Sequence, residues 1–404
     1  MLSCRLNTLL PATVKILLVR LGSLGDLVHA VPVAAALRER HPAARIDWLV
    51  DARYAAVLDL LPIIDRRIVI SPSGLAARAD RPGHPGDRRF SGLRGVVGAI
   101  REPRRQQYDA AVDLQGLIKS AVLARASGAR RVLGFEREQL RERQASLFYT
   151  ETCPFREPEG SRHNCQVWGE ASASRVPPSQ VWGEASASPK PRRHVVFKNL
   201  SVLPALDTPV PVTPRFPLAI PVSPALEAFR ETLGATGRDG FALLNPGAAW
   251  PNKRWPAERF GKVASALRAR HGLASVVSWG PGEEGLARAV AAASDGAALS
   301  APPTRVADLL AFAAEARLVV SGDTGPLHLA AAVGTPIVAL FGPTDPDRNG
   351  PWADADVSLS RFADCVCHYV RRCRRERPCI EDITVEDVLG AIERRLAIAK
   401  HPQA

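Results

Sequence analysis

Hydrophobic and polar residues follow two alternating patterns along the chain. Short, mostly apolar runs at 15–20, 45–50 and 110–114 are typical of strands that are buried on both faces. Stretches with helical spacing separate these runs, and the same alternation returns after residue 240. Strands that alternate with helices predict parallel sheets, so we expect an α/β fold of two doubly wound, Rossmann-like domains.

The clearest local pattern lies at residues 318–341. A short apolar run leads into a turn rich in Gly and Asp, then into an Ala-rich helical segment and a second apolar run. The backbone N–H groups of Thr324, Gly325 and Leu327 would lie at the start of that helix, where phosphate groups commonly bind. The pattern therefore predicts a phosphate site, with Asp323 as a plain helix N-cap being the alternative interpretation.

A second glycine-containing turn, at residues 21–26, follows the first apolar run. Its spacing, Gly22-x-x-Gly25, differs from the Gly-x-Gly-x-x-Gly fingerprint of dinucleotide-binding folds, so an NAD enzyme is not indicated. Ligands of open α/β sheets bind at strand-to-helix turns of this kind. Asp26 at the start of the helix is therefore a candidate site residue, and a dipole-favoured capping acid is the alternative.

Composition favours an anionic partner. The 404 residues include 53 Lys or Arg and 41 Asp or Glu, which gives a net charge of +12. No apolar run reaches the roughly 18 residues of a membrane span, and the first residues do not form a signal peptide. The seven cysteines are odd in number and unevenly placed, which argues against a secreted disulfide framework. We therefore expect a cytoplasmic protein, without a transmembrane segment, that touches a membrane surface.

These patterns divide the chain into five parts. We expect an N-terminal extension (1–13), a first Rossmann-like domain (14–203), a proline-rich linker (204–224), a second Rossmann-like domain (225–383) and a C-terminal amphipathic helix (384–404). Within the first domain, the sequence Gln-Val-Trp-Gly-Glu-Ala-Ser-Ala-Ser occurs at both 166–174 and 180–188. Two copies are too few for a solenoid, and their composition offers little to bury. We predict a disordered insertion over 152–190.

Several motifs together carry a resemblance to a known family. They are Val-Arg-Leu-Gly-Ser-Leu-Gly-Asp at 19–26, Asp-Leu-Gln-Gly-Leu-Ile-Lys-Ser at 113–120, Lys-Arg-Trp-Pro at 253–256, Asp-Thr-Gly-Pro-Leu-His at 323–328 and Leu-Phe-Gly-Pro-Thr-Asp-Pro at 340–346. They resemble motifs of the lipopolysaccharide heptosyltransferases and, more broadly, of glycosyltransferase family 9. The resemblance covers most of residues 14–150 and 194–398.

The resemblance implies the GT-B fold, with the active site in the cleft between the two domains. It implies an inverting transfer of L-glycero-D-manno-heptose from ADP-heptose to Kdo-lipid A, the inner core of lipopolysaccharide, at the cytoplasmic face of the inner membrane. The segment Leu-Arg-Glu-Arg-Gln-Ala-Ser-Leu-Phe-Tyr at 140–149 favours the first heptose addition, and the second addition is a close alternative. A GT-B-fold sugar-nucleotide epimerase and a non-enzymatic nucleotide-sugar-binding protein are further alternatives. Nucleic acid is not expected as a partner.

Site residues follow from the matched motifs. Asp26 is the implied catalytic base, and His29 on the same helix would line the site. The implied donor-binding residues are Lys253, Glu283, Glu284, Asp323, Thr324, Gly325, Leu327 and His328, and the implied acceptor-binding residues are Ser23, Gly25, Lys119 and Arg141. Lys253 would neutralise the donor diphosphate, and either Glu283 or Glu284 would bind the ribose.

A cysteine-rich segment near the C-terminus raises the question of zinc. Its cysteines are Cys365, Cys367, Cys373 and Cys379. Their spacing lacks the two Cys-x-x-Cys pairs of common zinc modules, so zinc is not predicted. No Asp-x-Asp pair is evident at the donor loops, and we expect the reaction to require neither a metal nor a cofactor.

Overall fold

The computed structural model describes residues 14–71, 88–91, 103–155, 194–233 and 240–400. The first domain is built on a seven-stranded parallel sheet in the order β4-β3-β2-β1-β5-β6-β7. Its strands are β1 (Lys15–Val19), β2 (Arg45–Asp51), β3 (Arg66–Ser71), β4 (Arg88–Ser91), β5 (Ala110–Asp113), β6 (Arg131–Phe135) and β7 (Glu151–Cys153). The strand order reverses between β1 and β5, which is where ligands of such sheets bind.

The second domain has a six-stranded parallel sheet in the order β10-β9-β8-β11-β12-β13. Its strands are β8 (Phe241–Asn245), β9 (Ala274–Val277), β10 (Ala298–Ser300), β11 (Leu318–Gly322), β12 (Ile337–Phe341) and β13 (Val357–Ser360). Here the order reverses between β8 and β11, so each domain has its own switch point.

Helices cover the sheets and connect their strands. In the first domain they include α1 (Leu24–Arg40), α2 (Ile118–Ala126) and α3 (Val195–Leu200). In the second domain they are α4 (Pro224–Leu233), α5 (Ala257–His271), α6 (Glu284–Ala292), α7 (Val306–Glu315), α8 (Gly325–Ala332), α9 (Pro346–Asn349) and α10 (Val385–Lys400).

Helix α1 is buried over more of its surface than an amphipathic pattern predicts. Leu27 and Val31, on its expected core face, are fully buried, and so is Val28 on another side. The cause is that α1 packs against its own domain and also against α8 of the second domain. An interior position for α1 places its first turn, which carries Asp26, between the domains.

An apolar patch beside α1 joins the two domains. Val28 of α1 and Leu60 of the first domain are buried together with Leu310 and Leu329 of the second domain. Burial of apolar surface stabilises this contact. The patch therefore holds the strand-to-helix turns of both sheets around one cleft.

The structure confirms the predicted α/β fold of two doubly wound sheets. The sequence did not predict five short strands of three to five residues, which are β4, β6, β7, β10 and β13. Thr152 and Cys153 belong to β7 and pair with β6, so the predicted insertion cannot begin at residue 152. Residues 156–190 of that insertion, and the extension 1–13, lie outside the described residues.

Candidate active site

Two strand-to-helix turns, one from each domain, meet in the cleft. The turn after β1 leads into α1, and the turn after β11 leads into α8. A Cβ atom at Gly25 would lie 2.2 Å from Cδ2 of His328, and a Cβ atom at Gly325 would lie 2.4 Å from Cδ2 of Leu24. Both positions therefore require glycine for the two helices to approach this closely. The predicted residues of the two turns lie against each other.

Asp26 is held at the start of α1 by Arg20 and Ser23. Arg20 Nη2 lies 2.6 Å from Oδ1, and the backbone N–H and hydroxyl of Ser23 donate to Oδ2 at 2.9 and 3.1 Å. The surrounding protein partly excludes water from Asp26 and so raises its pKa, but the charge of Arg20 and the Ser23 hydrogen bonds outweigh this effect and leave the pKa below its ordinary value. The carboxylate is therefore ionised at neutral pH, and its side chain, 39% exposed, is accessible to a ligand. The Ser23 contact also caps α1, as the capping interpretation of Asp26 predicts.

Two further cations, Lys198 and Arg348, lie near Arg20. Nζ of Lys198, on α3, donates to the carbonyl of Gln139 at 2.5 Å. Burial, together with the charges of Arg348 and Arg20, lowers the pKa of Lys198 to about 8. Cations that repel one another in a cleft favour an anionic ligand.

On the facing side, Asp323 is the centre of a buried network. Its Oδ2 accepts hydrogen bonds from Nζ of Lys253 at 2.5 Å and from the hydroxyl of Thr344 at 2.7 Å. Its Oδ1 lies 3.3 Å from Nε2 of His328. Burial raises the pKa of Asp323, but the bond to His328 and the charge of Lys253 hold it far below its ordinary value. The N-cap of α8 is Thr324, so the interpretation of Asp323 as a plain N-cap is wrong.

Lys253 reaches this network from the end of the 3-10 helix Pro251–Lys253. Its Nζ lies 4.7 Å from the centre of the Trp250 ring, a cation–π distance. Gly325 and Leu327 lie in the first turn of α8, where backbone N–H groups lack partners within the helix. A lysine beside such a turn creates an anion-binding site at the start of α8.

The structure distinguishes the two glutamates after β9. Oε2 of Glu283 accepts from the backbone N–H of Gly280 at 3.1 Å, and a Cβ atom at Gly247 would lie 2.1 Å from the same oxygen. Glu284 instead pairs with Arg288 at 2.8 Å on the exposed surface of α6. Glu283 therefore faces the loop after β8, which leads to Lys253, whereas Glu284 points away from it.

Lys119 and Arg141 are both exposed on the first domain. Lys119 lies in the first turn of α2, next to Ile118, whose N–H donates to Oε2 of Glu142 at 2.7 Å. This bond brings the segments that carry Lys119 and Arg141 to one rim of the domain.

His29 does not line an open site. It is only 2% exposed, and its Nε2 lies 3.1 Å from Nδ1 of His328 across the domain boundary. The sequence could not indicate this contact, because the two histidines are 299 positions apart.

The cysteine-rich segment forms a packed cluster of free thiols. The sulfur atoms of Cys367 and Cys373 lie 3.7 Å apart. Burial and neighbouring thiols raise the pKa of Cys379 to about 12. Within the described residues, no group of three or more His, Cys, Asp or Glu side chains is placed to hold a metal ion.

Known proteins resemble this chain in both sequence and structure. Residues 98–377, more than half of the chain, match glycosyltransferase family 9 (heptosyltransferase). The chain belongs to glycosyltransferase family 9. This membership makes the protein an enzyme that transfers a glycosyl group.

Curated relatives of this family 9 enzyme match along nearly their whole length. Lipopolysaccharide heptosyltransferase 1 of Pseudomonas aeruginosa is 27% identical over 93% of this chain and 91% of the relative. Lipopolysaccharide heptosyltransferase 3 of Escherichia coli is 26% identical over 92% of this chain and 95% of the relative.

Solved structures confirm the predicted GT-B fold. E. coli heptosyltransferase WaaC with ADP has a TM-score of 0.65 at 22% identity, covering 94% of this chain and 99% of that one. E. coli ADP-heptose lps heptosyltransferase II has a TM-score of 0.61 at 20% identity, covering 96% of this chain and 99% of that one.

Sequence reasoning missed four side chains of the family 9 cleft. Arg20 is the residue directly after β1, and the end of a strand at a switch point was a usable signal. Thr344 and Arg348 lie within and just after the Leu-Phe-Gly-Pro-Thr-Asp-Pro motif, which could also have indicated them. Lys198 had no local signal that separates it from a surface lysine.

Proposed function

We propose that this family 9 enzyme transfers L-glycero-D-manno-heptose from ADP-heptose to Kdo-lipid A, the first heptose addition of lipopolysaccharide core biosynthesis. One observation carries the proposal: the turn that bears Asp26 lies against the turn that bears Asp323, beside Lys253. A carboxylate on one domain and an anion-binding helix start on the other suit a displacement at a nucleotide sugar. The names of the relatives support heptose as the sugar.

Asp26 acts as the base in this mechanism. One of its carboxylate oxygens accepts the proton of the acceptor hydroxyl while that hydroxyl oxygen attacks the anomeric carbon from the face opposite ADP. The bond from the anomeric carbon to the phosphate oxygen breaks in the same step, so the anomeric configuration inverts. Because the Arg20 contact keeps Asp26 ionised, the base is available at neutral pH.

The donor lies against the second domain. Lys253 and the first-turn N–H groups of α8 stabilise the negative charge that grows on the leaving diphosphate. Glu283, whose Oε2 accepts from the N–H of Gly280, accepts hydrogen bonds from the ribose hydroxyls, and its position beside the loop after β8 supports this role. The 2.5 Å contact with Asp323 keeps the Lys253 ammonium at the anion-binding site beside the start of α8.

The acceptor lies against the first domain, and its negative charge matches cations on both sides of the cleft. Arg20 and Lys198 of the first domain and Arg348 of α9 in the second domain form a cationic cluster, which outnumbers the single negative charge of Asp26. A carboxylate or phosphate of the acceptor would neutralise the excess charge. Lys119 and Arg141 lie at a rim, where they suit the more distant anionic groups of a lipid-linked acceptor.

A lipid-linked acceptor requires the enzyme to reach a membrane surface. In the part of the chain that the structure describes, no helix is long and apolar enough to cross a membrane. Leu147 is 81% exposed on the 3-10 helix Arg143–Phe148, which packs against α2 close to Lys119. An exposed leucine next to basic side chains suits peripheral binding to anionic lipid on the cytoplasmic face of the inner membrane.

Mass spectrometry of the acceptor tests the proposal. The protein is incubated with ADP-heptose and, in separate reactions, with Kdo-lipid A or with Kdo-lipid A that already carries one heptose. We expect a mass increase of one heptose on Kdo-lipid A alone. Transfer only to the heptosylated acceptor would instead indicate the second addition. Release of an isomerised sugar without any acceptor would indicate an epimerase and contradict the proposal.

A further inference from the structure

A buried pair of imidazole rings joins the two domains beside the cleft. His29 on α1 is 2% exposed and His328 on α8 is 4% exposed. The Nε2 atom of His29 lies 3.1 Å from Nδ1 of His328, and the ring planes cross at 64°. A hydrogen bond at this distance depends on which nitrogen of each ring carries the proton.

The surroundings of His29 define its tautomer. Its Nδ1 atom is buried and has no hydrogen-bond partner among the described residues. A proton on Nδ1 would be a buried donor without an acceptor, which is costly. The proton therefore resides on Nε2, which donates to Nδ1 of His328.

The surroundings of His328 require the same direction for the hydrogen bond, with His29 as the donor and His328 as the acceptor. Asp323 is ionised and lies 3.3 Å from Nε2 of His328, so Nε2 must donate to the carboxylate. The Nδ1 atom of a neutral His328 ring is then an acceptor, as the bond from His29 requires. The result is a directed chain from His29 through His328 to Asp323, which also accepts from Lys253.

Groups on every side hold His29 in place and keep it neutral. Its backbone carbonyl accepts from Nδ2 of Asn199 at 2.9 Å, and the His194 ring packs edge-on with centroids 5.8 Å apart. Burial, together with the neighbouring rings of His328 and His194 and the charges of Arg20 and Arg348, lowers the pKa of His29 well below its ordinary value. A neutral ring suits a structural hydrogen bond rather than proton transfer to solvent.

We propose that His29 is a positioning residue for glycosyl transfer. Its hydrogen bond to His328 fixes the helix that carries Asp26 against the turn that holds the donor. The neighbouring apolar patch favours contact between the domains, but apolar contacts are not directional, whereas this bond defines one register. A shift of about 1 Å between reacting groups can cost about 100-fold in rate, so register matters for turnover. The inference rests on the proposed function.

Two substitutions at His29 separate hydrogen bonding from shape. His29→Leu removes the donor and leaves Nδ1 of His328 buried without a partner. His29→Gln places an amide N–H close to the position of Nε2 and can restore the bond. We expect kcat for heptose transfer to fall about 5- to 100-fold in His29→Leu, and by less than about 5-fold in His29→Gln. The Kd for ADP should change less than about 2-fold in both, because the donor residues lie on the other domain.

Either of two results would overturn the inference. Turnover of His29→Leu within about 2-fold of the unaltered enzyme would show that the bond does not position the domains. Equal losses in the Leu and Gln variants would show that shape, not hydrogen bonding, is what matters.

A measurement that needs no substrate keeps this inference separate from the proposed function. If the unaltered protein transfers no heptose, the proposed function fails, but small-angle scattering with ADP still reports the domain arrangement. We expect a larger radius of gyration for His29→Leu than for the unaltered protein and for His29→Gln. The same radius in all three proteins would refute the positioning role.

Discussion

Replacement of Lys253 by alanine removes the cation that pairs with buried Asp323. The Nζ–Oδ2 distance is 2.5 Å, and the two side chains are 14% and 5% exposed, so solvent screens the pair only weakly. Two effects follow: the donor diphosphate loses a charged donor, and the Asp323 carboxylate loses its neutralising partner.

The two effects have different magnitudes. A hydrogen bond to a charged group is worth about 1.5–3 kcal/mol, so the Kd for ADP should rise about 10- to 150-fold. Removal of one partner from a buried ion pair costs about 3–5 kcal/mol of folding stability. The remaining bonds from Thr344 and His328 to Asp323 place the expected loss near the lower end of that range.

A second substitution separates binding from stability. In the double variant Lys253→Ala with Asp323→Asn, no unpaired carboxylate remains, so stability should largely return. ADP affinity should stay at least about 10-fold weaker, because the cation is still missing. Lys262→Ala, an exposed lysine on α5, is the matched control and should leave both quantities unchanged.

Calorimetric titration with ADP and denaturant unfolding measure the two quantities. Unchanged ADP affinity in Lys253→Ala would place the lysine outside the diphosphate site and refute the reasoning. Full recovery of affinity in the double variant would show that Lys253 only neutralises Asp323 and does not contact the donor.

Three further predictions concern the rest of the chain. Deletion of residues 160–189 should leave melting temperature and turnover largely unchanged, because the repeat has little to bury; a loss of most activity would contradict this. Glu283→Gln should weaken donor binding several-fold while Glu284→Gln should not, and calorimetry that finds the reverse order would reject the Glu283 assignment. Lys198, whose pKa is lowered to about 8, should lose its charge as pH rises through that value. The KM for the acceptor should therefore rise above about pH 8, and Lys198→Arg should abolish that rise; a KM independent of pH would remove Lys198 from the acceptor site.

The fold and the two turns could be predicted because their signals are local. A buried run, a glycine-containing turn and a helical period follow one another within about 20 residues around Asp26 and again around Thr324. The short strand β7 has no comparable run, and it is defined by pairing with β6 across a loop. Local signals therefore predicted the central strands, but not the short strands at or next to the edges of the sheets.

The parts of the site that the sequence could not predict depend on contacts between distant residues. The bond between His29 and His328 spans 299 positions, and no spacing rule links them. Glu283 and Glu284 are neighbours in sequence, and only the fold shows that one faces Gly247 while the other faces Arg288.

The most direct test of the account is the turnover of Asp26→Asn. The asparagine preserves size and caps a helix about as well as aspartate, but it cannot take the proton of the acceptor hydroxyl. The account predicts that heptose transfer to Kdo-lipid A falls about 100-fold or more, while ADP-heptose affinity changes little because the donor residues lie on the other domain. Near-normal transfer by this variant would contradict the assignment of Asp26 as the base.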